Sequence, residues 1–502
     1  MTEPFYITTA ISYPNGRPHV GHAYEAIATD AIARWQRLRG RPVRFLTGTD
    51  EHGLKMAQAA RDRGLTPRAL ADEMSSYFQM MTKILNISYD RFIRTTDADH
   101  YAASAALWEA MKANGDIYLG RYEGWYSVRD EAFYDEKELT EGEGGVKLSP
   151  QGTPVAWQVE ESWFFRLSAF QNRLLAHYEA NPDFIRPEAR RNEVTSFVRG
   201  GLSDLSISRT SFDWGVPVPG APGHVMYVWV DALTNYLTGA GYPTDKAALE
   251  RWWPADLHVI GKDIVRFHAV YWPAFLMSAG LALPRQVFGH GFLLNRGEKM
   301  SKSTGNVVDP IEMAERYGVD ALRYFLLREV SFGQDGSYSH EAIVTRVNAD
   351  LANGLGNLAQ RCLSMIAKNG AIVPDAGEES DPLAALDLPA RVGAAMEELA
   401  PHRALEIVWE GVGEANRYFA EAAPWALRKT DPARADAVLY RAAEAVRQLA
   451  ILARWAIPAA ADALLDQLGV AADARDLAAL GTPLVAGAAL PPPQGVFPRL
   501  DL

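Results

Sequence analysis

Two short constellations in this chain have residue types suited to chemistry on phosphate. The first is His19-Val20-Gly21-His22, after an apolar run and at the start of a helical pattern. Backbone N–H groups at a helix start attract anions, and the helix dipole adds to that attraction. Two imidazoles placed there can donate to one anion, with Pro18 shaping the turn and Gly21 letting a ligand approach the backbone. The bland alternative is a pair of turn histidines on a surface loop, and four residues alone do not decide. Zinc is a poorer reading, since no further ligands stand at suitable spacing. The second constellation is Lys299-Met300-Ser301-Lys302-Ser303, flanked by Gly297 and Gly305. Two ammonium groups with a hydroxyl between them suit a triphosphate tail, and the glycines suit a loop that closes over nucleotide. Its bland alternative is a solvated basic loop.

Elements must position both. Phe5–Ile11 reads as a buried strand, the turn Tyr13–Pro18 breaks it, and a helical pattern runs from His22 through Leu38 to Gly40. Val43–Leu46 and Phe92–Arg94 read as strands, and Asp97–Asn114 as a helix. Beyond Ile117, aromatic β-like pieces surround a Gly/Glu-rich loop, Thr140–Gly145, in what looks like an insertion ending near Pro222. Strand patterns return at Val225–Trp229, Leu257–Ile260 and Gln286–Phe288. Alternating strands and helices predict an α/β fold with a doubly wound parallel sheet, whose ligands bind at the carboxyl ends of strands. After His340 the pattern predicts long helices at Asn348–Lys368, Leu383–Leu399, Ala404–Glu421 and Ala433–Ala456, then an extended tail from Pro491.

Composition narrows the class. The length of 502 residues suggests roughly three domains at ~150 each, and a large core. Fifty Lys+Arg against 62 Asp+Glu gives a net charge of −12, so any nucleic-acid site must be a local patch. One cysteine, Cys362, excludes an internal disulfide and any multi-thiolate metal site. No apolar stretch approaches the ~20 residues of a membrane span, and no targeting segment precedes the first strand. The expectation is a cytoplasmic enzyme with no membrane contact.

An HxGH turn after the first strand and a KMSKS loop after the last resemble the signatures of class I aminoacyl-tRNA synthetases. Their separation fits the small members and leaves no room for an editing insertion. The chain resembles the methionyl-tRNA synthetases over almost its whole length, through ITTAISYPNGRPHVGH, FLTGTDEHG, VMYVWVDAL, HVIGKDIVRFHAVYWPAF, HGFLLNRGEKMSKSTGN and VNADLANGLGNLAQR. It departs from the family's common pattern at Val20 and Leu233, and its insertion has no cysteine clusters, so it resembles the zinc-free branch. The resemblance implies a Rossmann-like catalytic domain in two halves, 1–115 and 225–290, and a connective insertion over 116–224. It further implies a KMSKS and linking region over 291–348 and an α-helical anticodon-binding bundle with an extended tail over 349–502.

The activity implied is methionine–tRNA ligation, using ATP with Mg2+ and no structural zinc, on elongator and initiator methionine tRNA, by a monomer. Catalysis falls to His19, His22, Lys299 and Lys302. ATP falls to Gly21, Gly261, Lys262, Asp263, Arg209, Ser301 and Ser303. Methionine falls to Ala10, Ile11, Tyr13, Asp50, Trp229, Ala232, Tyr236, Ile264, His268 and Trp272, with His268 expected to donate to the sulfur. Asp50 has an alternative as a helix N-cap, and the Ile264, His268, Trp272 stripe an alternative as ordinary core. Asn353, Asn357, Arg361 and Trp425 are the expected anticodon contacts; alone, the first three read as a solvated face and Trp425 as a helix-end core residue. A cysteine-specific relative would need a thiolate-zinc pocket that Cys362 alone does not supply. A catalytically silent tRNA-binding paralogue and a small-molecule nucleotidyltransferase are the rivals of other classes.

Overall fold

The computed structural model describes residues 3–130, 132–299 and 308–501. The elements that matter for function are, in chain order, β1 (Phe5–Thr9), α1 (Val20–Leu38), β2 (Val43–Thr49), β3 (Arg91–Arg94), α2 (Ala98–Ala113), β4 (Ile117–Ser127), β5 (Ala156–Phe165), β6 (Ile185–Arg186), α3 (Val228–Ala240), β7 (Leu257–Gly261), β8 (Val287–His290), α4 (Val319–Glu329), α5 (Asn357–Lys368), α6 (Pro401–Ala422) and α7 (Pro432–Ala453). Residues of β1 and β7 are buried throughout, as a central parallel strand covered on both faces requires.

Six strands form one parallel sheet in the order β3-β2-β1-β7-β8-β6. The register pairs Ile7 with both Phe45 and Leu257, and Val287 with Ile185. The chain winds outward from β1 to β3 and then resumes on the other side of β1 at β7. The strand order therefore reverses between β1 and β7, where loops leave the two carboxyl ends in opposite directions and open a crevice. The sheet is the expected one, with one edge strand, β6, drawn from within the span expected as an insertion. Elsewhere that span holds an antiparallel sheet built on the β4–β5 pair, from Ile117↔Phe165 to Tyr126↔Ala156, and two helices, Gln171–Ala180 and Glu188–Arg199.

One expectation is corrected. Val225–Trp229 is not a strand of the catalytic sheet. Only Val225–Met226 is extended, paired antiparallel with Ser208–Arg209, and α3 starts at Val228. Nearly every residue of α3 is buried, Asp231 and Thr234 included. A helix buried on all sides shows no amphipathic period, and a short apolar run cannot then be told from a strand.

After Tyr338 the described residues form helices and loops, with a single bridge between Ile372 and Ala489. A π-helical stretch, Val347–Gly356, runs into α5, and the helix expected from Leu383 starts at Leu388, after Asp387 takes a left-handed turn with φ 44°. The tail returns to the body, where Asn348 exchanges two hydrogen bonds with the Leu500 backbone at 2.8 and 2.9 Å.

One buried ion pair ties the two halves of the chain together. Arg323 of α4 donates to Asp30 of α1 at 2.7 Å, and its other N–H groups reach the carbonyls of Leu85 and Ala456. Both side chains are fully buried. Asp30 also accepts from Arg34 and Ser88. Burial alone would raise its carboxyl pKa, but the Arg323 and Arg34 charges hold it below the ordinary value. Removing one partner leaves the other charged and dry, at a cost of ~3–5 kcal/mol. Asp30→Ala is expected to lower the unfolding free energy by about that much in urea titration, against little change for Leu65→Ala at an exposed site.

Candidate active site

The crevice at the switch point is a cleft of about 450 Å³. Its anion-binding corner is the start of α1. His19 is the N-cap, with extended backbone, and its Nδ1 accepts the Gly21 N–H at 3.1 Å. His22 answers reciprocally, its Nδ1 accepting the His19 N–H at 3.1 Å. This is a capping box built from two imidazoles instead of a hydroxyl and a carboxylate. An Nδ1 that accepts cannot carry the proton of a neutral imidazole, so that proton sits on Nε2 in each ring. The ring centroids are 3.8 Å apart, and both rings line the cleft. Gly21 has a tighter requirement than ligand access: a Cβ there would stand 2.8 Å from His19 Cε1.

Asp50 follows directly on β2 and lines the same cleft, buried to 8% exposure. Its alternative as a helix cap does not hold. The helix Leu54–Asp62 is capped by Gly53 with no side-chain bond, and neighbouring Glu51 pairs with Arg94. Tyr13 bridges to this loop, donating to the His52 carbonyl at 2.8 Å and accepting from the Met56 N–H at 3.1 Å. Ala10, Ile11 and Ile264 line the cleft with it, as does Trp229, stacked on Phe267 at 3.8 Å between ring centroids. Gly261 and Asp263 enter from the end of β7.

Tyr236, Ala232, His268 and Trp272 lie behind that wall, each buried. His268 corrects an expectation. Its Nδ1–H donates to the Ile264 carbonyl at 2.9 Å, and its Nε2 accepts the Tyr236 hydroxyl at 2.7 Å. The neutral ring has no N–H left for a thioether. Burial pushes its pKa down to about 4. Beneath it all, Asp231 of α3 accepts from His52 at 2.6 Å and from His100 of α2 at 2.7 Å, fixing the Asp50 loop to two helices. Burial would raise the Asp231 carboxyl, but the two imidazoles hold it well below its ordinary value.

Other expected residues are placed elsewhere. Lys262 is held by both carboxylate oxygens of Asp335 at 2.8 Å. Arg209 is buried inside the insertion, donating to the Ser208 carbonyl at 2.7 Å, with Phe133 and Tyr227 rings against its guanidinium. It does not line the cleft. Ser301, Lys302 and Ser303 lie outside the described residues, and of Lys299 only the backbone is described, paired with Leu294.

The sequence reading missed a buried pair in the cleft wall. His290, at the end of β8, bonds Glu25 of α1 at 2.8 Å through Nε2, while its Nδ1–H donates to the Gly291 carbonyl. Burial raises the Glu25 carboxyl; it also works against charge on His290, whose bond to Glu25 nonetheless raises it. The available signal was spacing: Glu25 follows His22 by one helical turn and shares its face. Lys55 and three residues from the insertion side, Arg129, Asp130 and Gln151, also line the cleft.

In the helical half, the Arg361 guanidinium lies 5.1 Å from the rings of both Trp425 and Phe419. Trp425 is 45% exposed, so it is not a core residue. Asn353 and Asn357 are exposed on the same run of helix.

Residues 5–363 match the family described as "tRNA synthetases class I (M)", and residues 378–501 match "Anticodon binding domain of methionyl tRNA ligase". A methionine–tRNA ligase of Mesorhizobium japonicum is 62% identical over 99% of this chain and 98% of its own length. One from Mycobacterium tuberculosis is 63% identical over the same shares. The solved M. tuberculosis methionyl-tRNA synthetase in complex with methionyl-adenylate superimposes with a TM-score of 0.97 at 62% identity, covering 99% of this chain and 100% of that one. Its apo form gives 0.90 at 58%, covering 100% and 99%. The parallel sheet, its switch-point cleft and the histidine-capped helix are those of a class I aminoacyl-tRNA synthetase. Within that class, the chain belongs to the methionyl-tRNA synthetase family.

Stability should carry the signature of the buried imidazole. His268 has an ordinary pKa of 6.5 when unfolded, so between about 6.5 and 4 the unfolded chain binds a proton that the folded site refuses. Stability therefore falls as pH falls through that window; buried His258, also depressed, adds to the slope. His268→Gln is expected to flatten part of that slope in denaturant titrations at stepped pH.

Proposed function

We propose that the chain performs methionine–tRNA ligation through the following assignment of residues. The observation that carries it is the pair of Nε2–H donors at the start of α1, in one cleft with the Asp50 carboxylate and an aromatic wall. ATP enters as its Mg2+ complex, the metal held by the phosphates. A carboxylate oxygen of methionine attacks the α-phosphorus in line, the bond to the bridging oxygen breaks, and pyrophosphate leaves. Charge grows on phosphate oxygens, where His19, His22 and the α1 N–H groups oppose it at fixed positions. Lys302, with Lys299, supplies cations to the phosphates, and Ser301 and Ser303 supply hydroxyl donors. Lys262 can join them only by leaving Asp335.

Asp50 takes the substrate ammonium, and Asp263 with the Gly261 backbone takes the ribose. Tyr13, Ile11 and Trp229 enclose the side chain, where sulfur–aromatic contact adds ~0.3–1.5 kcal/mol. His268 acts through Tyr236 and the shape of the wall. In the second step the terminal adenosine's 2′-hydroxyl attacks the carbonyl of the adenylate, and AMP leaves. Recognition of the tRNA rests on Trp425 and Arg361 as a stacking surface, with Asn353 and Asn357 reading base edges.

Amino-acid-dependent ATP–pyrophosphate exchange without tRNA tests the pocket. Exchange with methionine alone among the twenty amino acids is the expected result; exchange with a different one would overturn the assignment. His22→Ala is expected to cut the exchange rate by roughly 10²–10³-fold, with methionine affinity by tryptophan fluorescence unchanged. Trp425→Ala is expected to retain exchange and lose aminoacylation. Equal losses in both would return Trp425 to a structural role.

A further inference from the structure

Three of the residues lining the cleft come from the insertion, and the activation step gives them no task. At the end of β4 and in the loop before β5, hydroxyls gather on one carboxylate. Asp130 Oδ2 accepts from Ser149 and Thr153, each at 2.5 Å, and from Tyr134 at 3.1 Å. Ser127 closes the ring, bonding Thr153 at 2.7 Å and accepting the Asp130 N–H at 3.1 Å. Ser127, Ser149 and Thr153 are at most 2% exposed. A carboxylate with this many donors is rigidly placed. The two positions it fixes are Arg129, next in sequence, and Gln151, whose N–H is bonded by Ser149. Both are exposed at the cleft, and Arg129 enters no ion pair among the described residues.

The wall that handles ATP is built from α1 and the ends of β1 and β7. The insertion-side part of the lining adds a fork of N–H donors and an amide for whatever enters third. A guanidinium suits a phosphodiester, and an amide suits a ribose hydroxyl or an unstacked base. We propose that Arg129 and Gln151, positioned by the Asp130 hydroxyl knot, receive the sugar–phosphate of the tRNA's 3′ strand as its terminal ribose enters the cleft. This rests on the reading that the chain aminoacylates a tRNA. It assigns Arg129 and Gln151 to contact and Asp130 to positioning.

The test uses the full chain and methionine tRNA, with exchange measured in the absence of tRNA and aminoacylation measured as separate kcat and KM. For Arg129→Ala the expected result is unchanged exchange, with kcat/KM for tRNA lower by at least ~10-fold. Its dependence on salt should be shallower by a log–log slope of about 0.7, as for one lost single-strand phosphate contact. Asp130→Asn should raise KM for tRNA in the same direction with exchange intact, and Arg129→Lys should fall between wild type and alanine. Aminoacylation by Arg129→Ala equal to wild type overturns the proposal, as does a parallel fall in exchange, which would place Arg129 on the pyrophosphate side. If the unaltered chain shows no methionine-dependent exchange, the underlying reading fails, and this one with it.

Discussion

A helix cannot satisfy its own first N–H groups, and much of this structure follows from where those of α1 point. At an ordinary helix start a serine or aspartate would absorb them. Here two imidazoles do so reciprocally, each with Nδ1, and the bonds that cap the helix also decide the tautomer. One arrangement thus caps the helix start and orients both rings along the cleft. Its position is set by topology: β1 feeds α1 at the point where the sheet reverses direction, so dipole, N–H groups and imidazoles converge on one crevice.

Buried charge holds that corner still. Asp231 ties the Asp50 loop to α2 and α3, Glu25 and His290 join α1 to the end of β8, and Asp30 with Arg323 fastens α1 to the helical half. Asp231 meets two imidazoles and Asp30 two guanidinium groups and Ser88, while Glu25 is bonded by His290; such donors make a buried carboxylate tolerable. Two of these pairs brace α1 itself, at Glu25 and at Asp30, and the third braces the Asp50 loop across the cleft from it. The helical half is joined to the catalytic half through the core at Arg323, whose N–H groups also reach the carbonyls of Trp455 and Ala456.

Much of this was legible in the sequence. The first strand and helix, the central strands and the long C-terminal helices stood out because their apolar periods differ and their ends carry turn residues. α3 did not, because total burial erases its period. Residues close in sequence to a recognised motif, such as Tyr13 and Asp50, do line the cleft. Lys262 and Arg209 were not, because a cation's partner is set by tertiary contacts: Asp335 and the aromatic cage of Phe133 and Tyr227 lie far along the chain or across a sheet. His268 illustrates the same limit, since its role depends on which nitrogen Tyr236 reaches. The Asp130 knot was invisible because serines, threonines and an aspartate in a loop look like any solvated turn.

The central claim is the tautomer forced on His19 and His22 by capping, and nitrogen-15 NMR of histidine-labelled protein reads it directly. Two rings should show a protonated Nε2 and an unprotonated Nδ1 at neutral pH, assigned by their loss in His19→Asn and His22→Asn. Their Nε2–H protons should move downfield on adding ATP with methionine. Protonated Nδ1 atoms in either ring, or Nε2–H signals indifferent to nucleotide, would contradict the account.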